Sequence, residues 1–97
     1  METRFYIDIS IQTQEGPQRI GRFEIGDDRE AASRLFKVLK GSPEVNAKDM
    51  LYIEFMELVN GLPLNIDILT CDLQELGTNT MLITQDIFRL ANLRVRK

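Results

Sequence analysis

The sequence predicts an α+β domain of the pattern ββα-ββα, with a four-stranded antiparallel sheet in the spatial order 2-1-3-4 and two helices on one face. Three observations carry this prediction. Two amphipathic strand pairs are each followed by a helical pattern, an acid three residues before a glutamate opens each helix, and a short motif recurs between the halves. Phe5-Tyr6-Ile7-Asp8-Ile9 matches Leu51-Tyr52-Ile53-Glu54-Phe55 position by position, and Asp27 with Glu30 matches Asp72 with Glu75. The repeat units run over about 4–41 and 50–93 of a single domain spanning 1–97. A ferredoxin-like sandwich is the rival if one strand or helix is misread.

Each element follows from local pattern. Residues 5–11 alternate apolar Phe5, Ile7, Ile9 and Ile11 with Tyr6, Asp8 and Ser10, the period of a half-buried strand. A loop at 14–18 leads to a second strand holding Phe23 and Ile25. Asp27 then reads as a helix N-cap, with Glu30 completing a capping box. Ala31, Ala32, Leu35, Phe36 and Leu39 form the apolar stripe, and Gly41 and Pro43 end the helix. A polar connection over 42–49 precedes the third strand, which carries Leu51, Ile53 and Phe55. Asn60-Gly61 is a two-residue hairpin turn, since both positions favour positive φ. Leu64, Ile66 and Ile68 make the fourth strand, and Leu76, Thr80, Ile83, Ile87 and Leu90 the second helix. Gly77-Thr78-Asn79 interrupts that helix, which is expected to bend or break there and to be firm over roughly 80–92.

The Asn60-Gly61 turn predicts the register of the second hairpin, and equivalent apolar pairs in the repeat set that of the first. Phe55 is expected opposite Ile66 and Ile53 opposite Ile68, with Ile7 opposite Ile25 and Ile9 opposite Phe23 in the first hairpin. In that register Pro63 turns its missing N–H away from the partner strand, so the fourth strand is an edge. The repeat makes the second strand the other edge. Strands one and three are left in the middle.

Composition narrows the function. The chain has 97 residues, 43% of them hydrophobic, enough for one core without staples. The one cysteine, Cys71, forms no disulfide within the chain, and the first residues lack a signal-peptide pattern. No apolar run approaches the ~20 residues of a membrane span, so a cytoplasmic location is expected. A net charge of −3 argues against a general nucleic-acid binder, and the aromatics stand among acids. Arg89, Arg94, Arg96 and Lys97 close the chain in a basic cluster that suits a helix C-terminus. With no histidine, the usual nucleophile–base pairs and histidine metal sites are excluded. Cys71 precedes a proposed helix N-terminus, where a thiol pKa can fall, though a semi-buried filler is the plainer reading. No cofactor is implied, and the chain is read as no enzyme.

The informative surface is the sheet face opposite the helices. The expected registers put Asp8 opposite Glu24 and Glu54 opposite Asp67, like charges that destabilise unless something offsets them. Tyr6, Tyr52, Met56, Leu58 and Leu69 flank them, with Arg4 and Arg22 as counter-charges. The expected function is a non-enzymatic protein-interaction or self-association module, its partner a protein or a second copy. The interaction face comprises Tyr6, Asp8, Glu24, Tyr52, Glu54, Met56, Asp67 and Leu69. Strand addition at Leu64–Ile68 is a further mode. The alternatives are a small-ligand or cation site built from those acids, or acid–base chemistry by Asp8, Glu24, Glu54 or Asp67.

Overall fold

A computed structural model describes residues 2–44 and 50–95, with the side chains of the last helix described as far as Arg89. The elements run β1 (Thr3–Thr13), β2 (Gly16–Glu24), α1 (Arg29–Val38), β3 (Leu51–Val59), β4 (Leu62–Cys71) and α2 (Leu73–Val95). All neighbouring strands are antiparallel and the sheet order is β2-β1-β3-β4, the α+β arrangement and order expected from the sequence. Most of the connection read at 42–49, residues 45–49, lies outside the described residues.

The core forms where odd-numbered positions of the central strands meet the helices. Phe5, Ile7 and Ile9 of β1 and Ile53 and Phe55 of β3 are buried against Ala32, Leu35 and Phe36 of α1 and Ile83 of α2. Phe36 stacks on Phe55 with ring centroids 5.3 Å apart. Glu57, on the same sheet face, is nearly buried and accepts a 2.6 Å bond from Arg29, which pins the start of α1 to β3.

Both helices begin at aspartates, but not both as expected. Asp28, rather than Asp27, caps α1, accepting from the backbone N–H groups of Glu30 and Ala31. Asp72 and Glu75 form a reciprocal capping box on α2, at 2.7 and 3.0 Å. The expected interruption of the second helix is corrected, because α2 is continuous from Leu73 to Val95. The roughly 1 kcal/mol that Gly77 costs relative to alanine is offset by the capping box and by Asn79. That side chain is fully buried, accepts from the Lys40 N–H at 2.7 Å and donates to the Lys40 carbonyl at 2.8 Å, tying α2 to the end of α1.

Both hairpin registers differ from expectation. The first hairpin turns tightly at Gln14–Glu15, where Gly16 takes φ +112° and the Thr13 hydroxyl donates to the Gly16 carbonyl at 2.6 Å. Pro17 therefore stands in β2, not in a loop. Ile7 pairs with Phe23, and Ile9 with Gly21, two residues from the expected partners. The second hairpin keeps the expected register from the Asn60-Gly61 turn as far as Met56, with Val59 opposite Leu62, Leu58 opposite Pro63, Glu57 opposite Leu64 and Met56 opposite Asn65. A bulge between Phe55 and Met56 leaves Ile66 without an opposite residue, so Phe55 pairs with Asp67 and Ile53 with Leu69.

Candidate open-face interaction site

No helix covers the second face of the sheet among the described residues, and the even-numbered positions of β1 and β3 point onto it. Three cross-strand rows define it. Arg22, Asp8, Glu54 and Ile68 form the middle row, Glu24, Tyr6, Met56 and Asn65 the row on one side, and Arg19, Ser10, Tyr52 and Thr70 the row on the other.

The centre of the middle row is an ion pair. Asp8 is only 5% exposed although no helix lies over it. Arg22 donates through Nε to Oδ1 at 2.7 Å and through a terminal nitrogen to Oδ2 at 2.8 Å, a bidentate clamp, and Arg19 approaches Oδ2 at 3.6 Å. The Arg22 guanidinium also lies 4.7 Å from the centroid of the Tyr6 ring. Bonding to Asp8 raises the Arg22 pKa above its already high ordinary value; desolvation opposes this, and the charges of Asp8 and Tyr6 reinforce it. Asp8 thus acts as a fixed internal anchor for two arginines. Asp8 and Glu54 face each other across β1 and β3. Asn65 donates to Glu54 at 3.0 Å, and Arg4 donates to Glu24. The Tyr52 hydroxyl lies 3.5 Å from Gln12 Oε1.

The expected acid-on-acid pairs are corrected by the registers. Asp8 faces Arg22 instead of Glu24, and Glu54 faces Ile68 instead of Asp67. Beyond the Ile66 bulge the parity of β4 inverts. Asp67 and Leu69 therefore stand on the helix side, Leu69 packing against the core and Asp67 exposed. Of the expected site residues, Tyr6, Asp8, Glu24, Tyr52, Glu54 and Met56 share the open face and Asp67 and Leu69 do not. Leu58, expected among the flanking residues, is also on the open face. Sequence reasoning missed Arg19 and Asn65. Arg19 comes opposite Ser10 only because the ladder shifts between Ile9 and Ser10, which nothing in the local pattern announces, whereas Asn65 stands opposite Met56 in the register that the Asn60-Gly61 turn already implies.

The open face is also less apolar than expected. Tyr6, Tyr52, Met56 and Leu58 are half-buried by their neighbours. The large exposed apolar side chains lie elsewhere, at Leu62, Leu64 and Ile66 of β4 and at Leu73, Met81 and Phe88 of α2 among others. The β4 edge is blunted against strand addition. Pro63 lacks a donor, the bulge interrupts the ladder, the Ile68 N–H is bonded to the Asp67 carboxylate at 2.8 Å, and Ser42 bridges Thr70.

Burial pushes the Cys71 thiol up to about 11, with Glu75 and then Asp72 adding to the shift, the reverse of activation by a helix N-terminus. Among the described residues no three His, Cys, Asp or Glu side chains gather to hold a metal ion, and no helix is long and apolar enough to cross a membrane. In the basic cluster Arg89 donates to Asp86, while the side chains of Arg94, Arg96 and Lys97 lie outside the described residues. Compared with family models, with curated proteins and with solved structures, the chain gives no match.

Proposed function

We propose that this domain is a non-enzymatic, cytoplasmic protein-interaction module whose binding surface is the open face of the sheet. The observation that carries the reading is the Asp8–Arg22 clamp. On a face that no helix of the described residues covers, a carboxylate is almost fully desolvated and its arginine lies over a tyrosine ring. Arginine, tyrosine and methionine are the residues enriched in interface centres, and rigid side chains lose less entropy on binding. The charges of the face already have polar partners within the chain, so a second surface can cover them without stranding a buried ion. Arg4, Arg19 and Arg22 balance Asp8, Glu24 and Glu54, which suits a planar partner of mixed charge, a second copy included.

The test is site-specific photo-crosslinking in cells. A photoreactive residue in place of Met56 or Leu58 should trap the same protein, and one in place of Lys37, an exposed position of α1, should not. Identical adduct patterns from all three positions would remove the open face as the binding surface.

A further inference from the structure

Helix α2 carries a second apolar face that the core does not use. At 100° per residue, Leu73, Gly77, Met81, Thr84 and Phe88 fall within an arc of about 80°. All five are exposed, Leu73 by 77%, Met81 by 52% and Phe88 by 68%. The solvent side of a surface helix normally carries charge. Here, in a chain with 28% charged residues, the arc has none, and Glu75, Asp86 and Arg89 lie on the other side of the helix. From Gly77 to Phe88 the steps are four, three and four residues, the spacing of a helix–helix seam.

Gly77 adds an independent observation. Its φ is not positive, and beyond its chain neighbours and the backbone of its own helical turn no heavy atom of the described residues lies within 4 Å of where a Cβ would stand. Neither backbone conformation nor close packing within the chain calls for glycine in mid-helix. What glycine there admits is the close approach of another backbone.

We propose that α2 packs antiparallel against α2 of a second copy about a two-fold axis, with Gly77 facing the partner's Phe88 and Met81 facing the partner's Thr84. One register satisfies both layers, setting a large side chain against a small one each time, as an isologous interface requires. The flanking residues Thr78, Thr80 and Gln85 are uncharged, so no like charges meet when the helix faces its own copy. With Val95 as its last residue, the partner helix is long enough to reach Leu73. Leu73, Met81 and Phe88 each leave on the order of 100 Å² in water, and two copies with their polar flanks bury about 1,000 Å² in all. That is the lower bound for a specific interface, so the dimer is a weak one with a Kd in the tens of micromolar, roughly. This inference is independent of the open-face reading, since the two surfaces share no residue.

Sedimentation equilibrium of the full chain from about 1 to 500 µM tests it. Wild type should pass from monomer to dimer over that range. Phe88→Asp should weaken the dimer at least tenfold with unchanged helical circular dichroism, and Leu58→Asp on the open face should leave it unaltered. Gly77→Ala should raise the melting temperature of the dilute monomer while weakening the dimer. For the register, Met81→Cys and Thr84→Cys chains, each also carrying Cys71→Ser, are mixed and oxidised. Cross-links between positions 81 and 84 should dominate. A strict monomer at 500 µM, a dimer indifferent to Phe88→Asp, or dominant 81–81 and 84–84 cross-links would each overturn the proposal.

Discussion

Replacing Arg22 with methionine tests whether the open face is organised by a desolvated charge. The substitution keeps much of the aliphatic stem and removes the bidentate partner of Asp8, whose side chain is 8% exposed. Breaking a buried pair by deleting one partner costs about 3–5 kcal/mol. Two features reduce that cost here: the Arg22 side chain is 30% exposed, and Arg19 remains 3.6 Å from Oδ2. The expected loss is about 2–3 kcal/mol. With a urea slope of about 1.2 kcal/mol per M for a domain of this size, the midpoint falls by roughly 2 M. Arg4→Met is the internal control, because the Arg4–Glu24 pair is 57% and 49% exposed and should contribute no more than about 0.5 kcal/mol. A double substitution, Asp8→Val with Arg22→Met, should recover most of the loss by removing both charges together. Urea titration followed by far-ultraviolet circular dichroism measures all four proteins. If Arg22→Met costs no more than Arg4→Met, Asp8 is not a desolvated anchor and no buried charge organises the open face.

Three further outcomes follow from the same geometry. Asp28→Ala should cost about 1 kcal/mol, a melting-temperature drop of roughly 4–8 °C, whereas Asp27→Ala should leave the melt almost unchanged; the reverse order would put the cap where the capping-box pattern suggested. Asn79→Ala strands both the amide and the carbonyl of Lys40 at a fully buried position and should cost about 2–3 kcal/mol in the same urea titration. Cys71 should react slowly with iodoacetamide at neutral pH and faster as pH rises toward about 11, faster in urea than in buffer. Because folding raises this thiol above its ordinary 9.0, the unfolded chain ionises first. The contribution of Cys71 to stability is therefore complete below pH 9 and lost between 9 and about 11, a dependence that Cys71→Ser should remove.

What the sequence determined by itself is whatever a strand or helix decides locally. Alternation along β1 and β3 assigned Phe5, Ile7, Ile9, Ile53 and Phe55 to the helix side because period two is a property of one chain segment. Asp72 with Glu75 marked the start of α2 because both bonds of a capping box lie within one turn. Pro63 identified an edge strand through the donor it lacks. Tertiary structure decided the sliding of one strand against its neighbour and the survival of a weak helix. In β4, Ile68 and Leu69 offer an apolar side chain on either parity, so pattern alone is silent. The core takes Leu69 and the bulge at Ile66 absorbs the extra residue. The same kind of shift in β2 brings Arg22 opposite Asp8. Gly77 disfavours helix in isolation, yet α2 runs through it because the buried Asn79 ties the next turn to the end of α1. Each of these outcomes depends on atoms far apart in the chain and close in space, where burial and pairing outweigh the roughly 1 kcal/mol preferences that local sequence encodes.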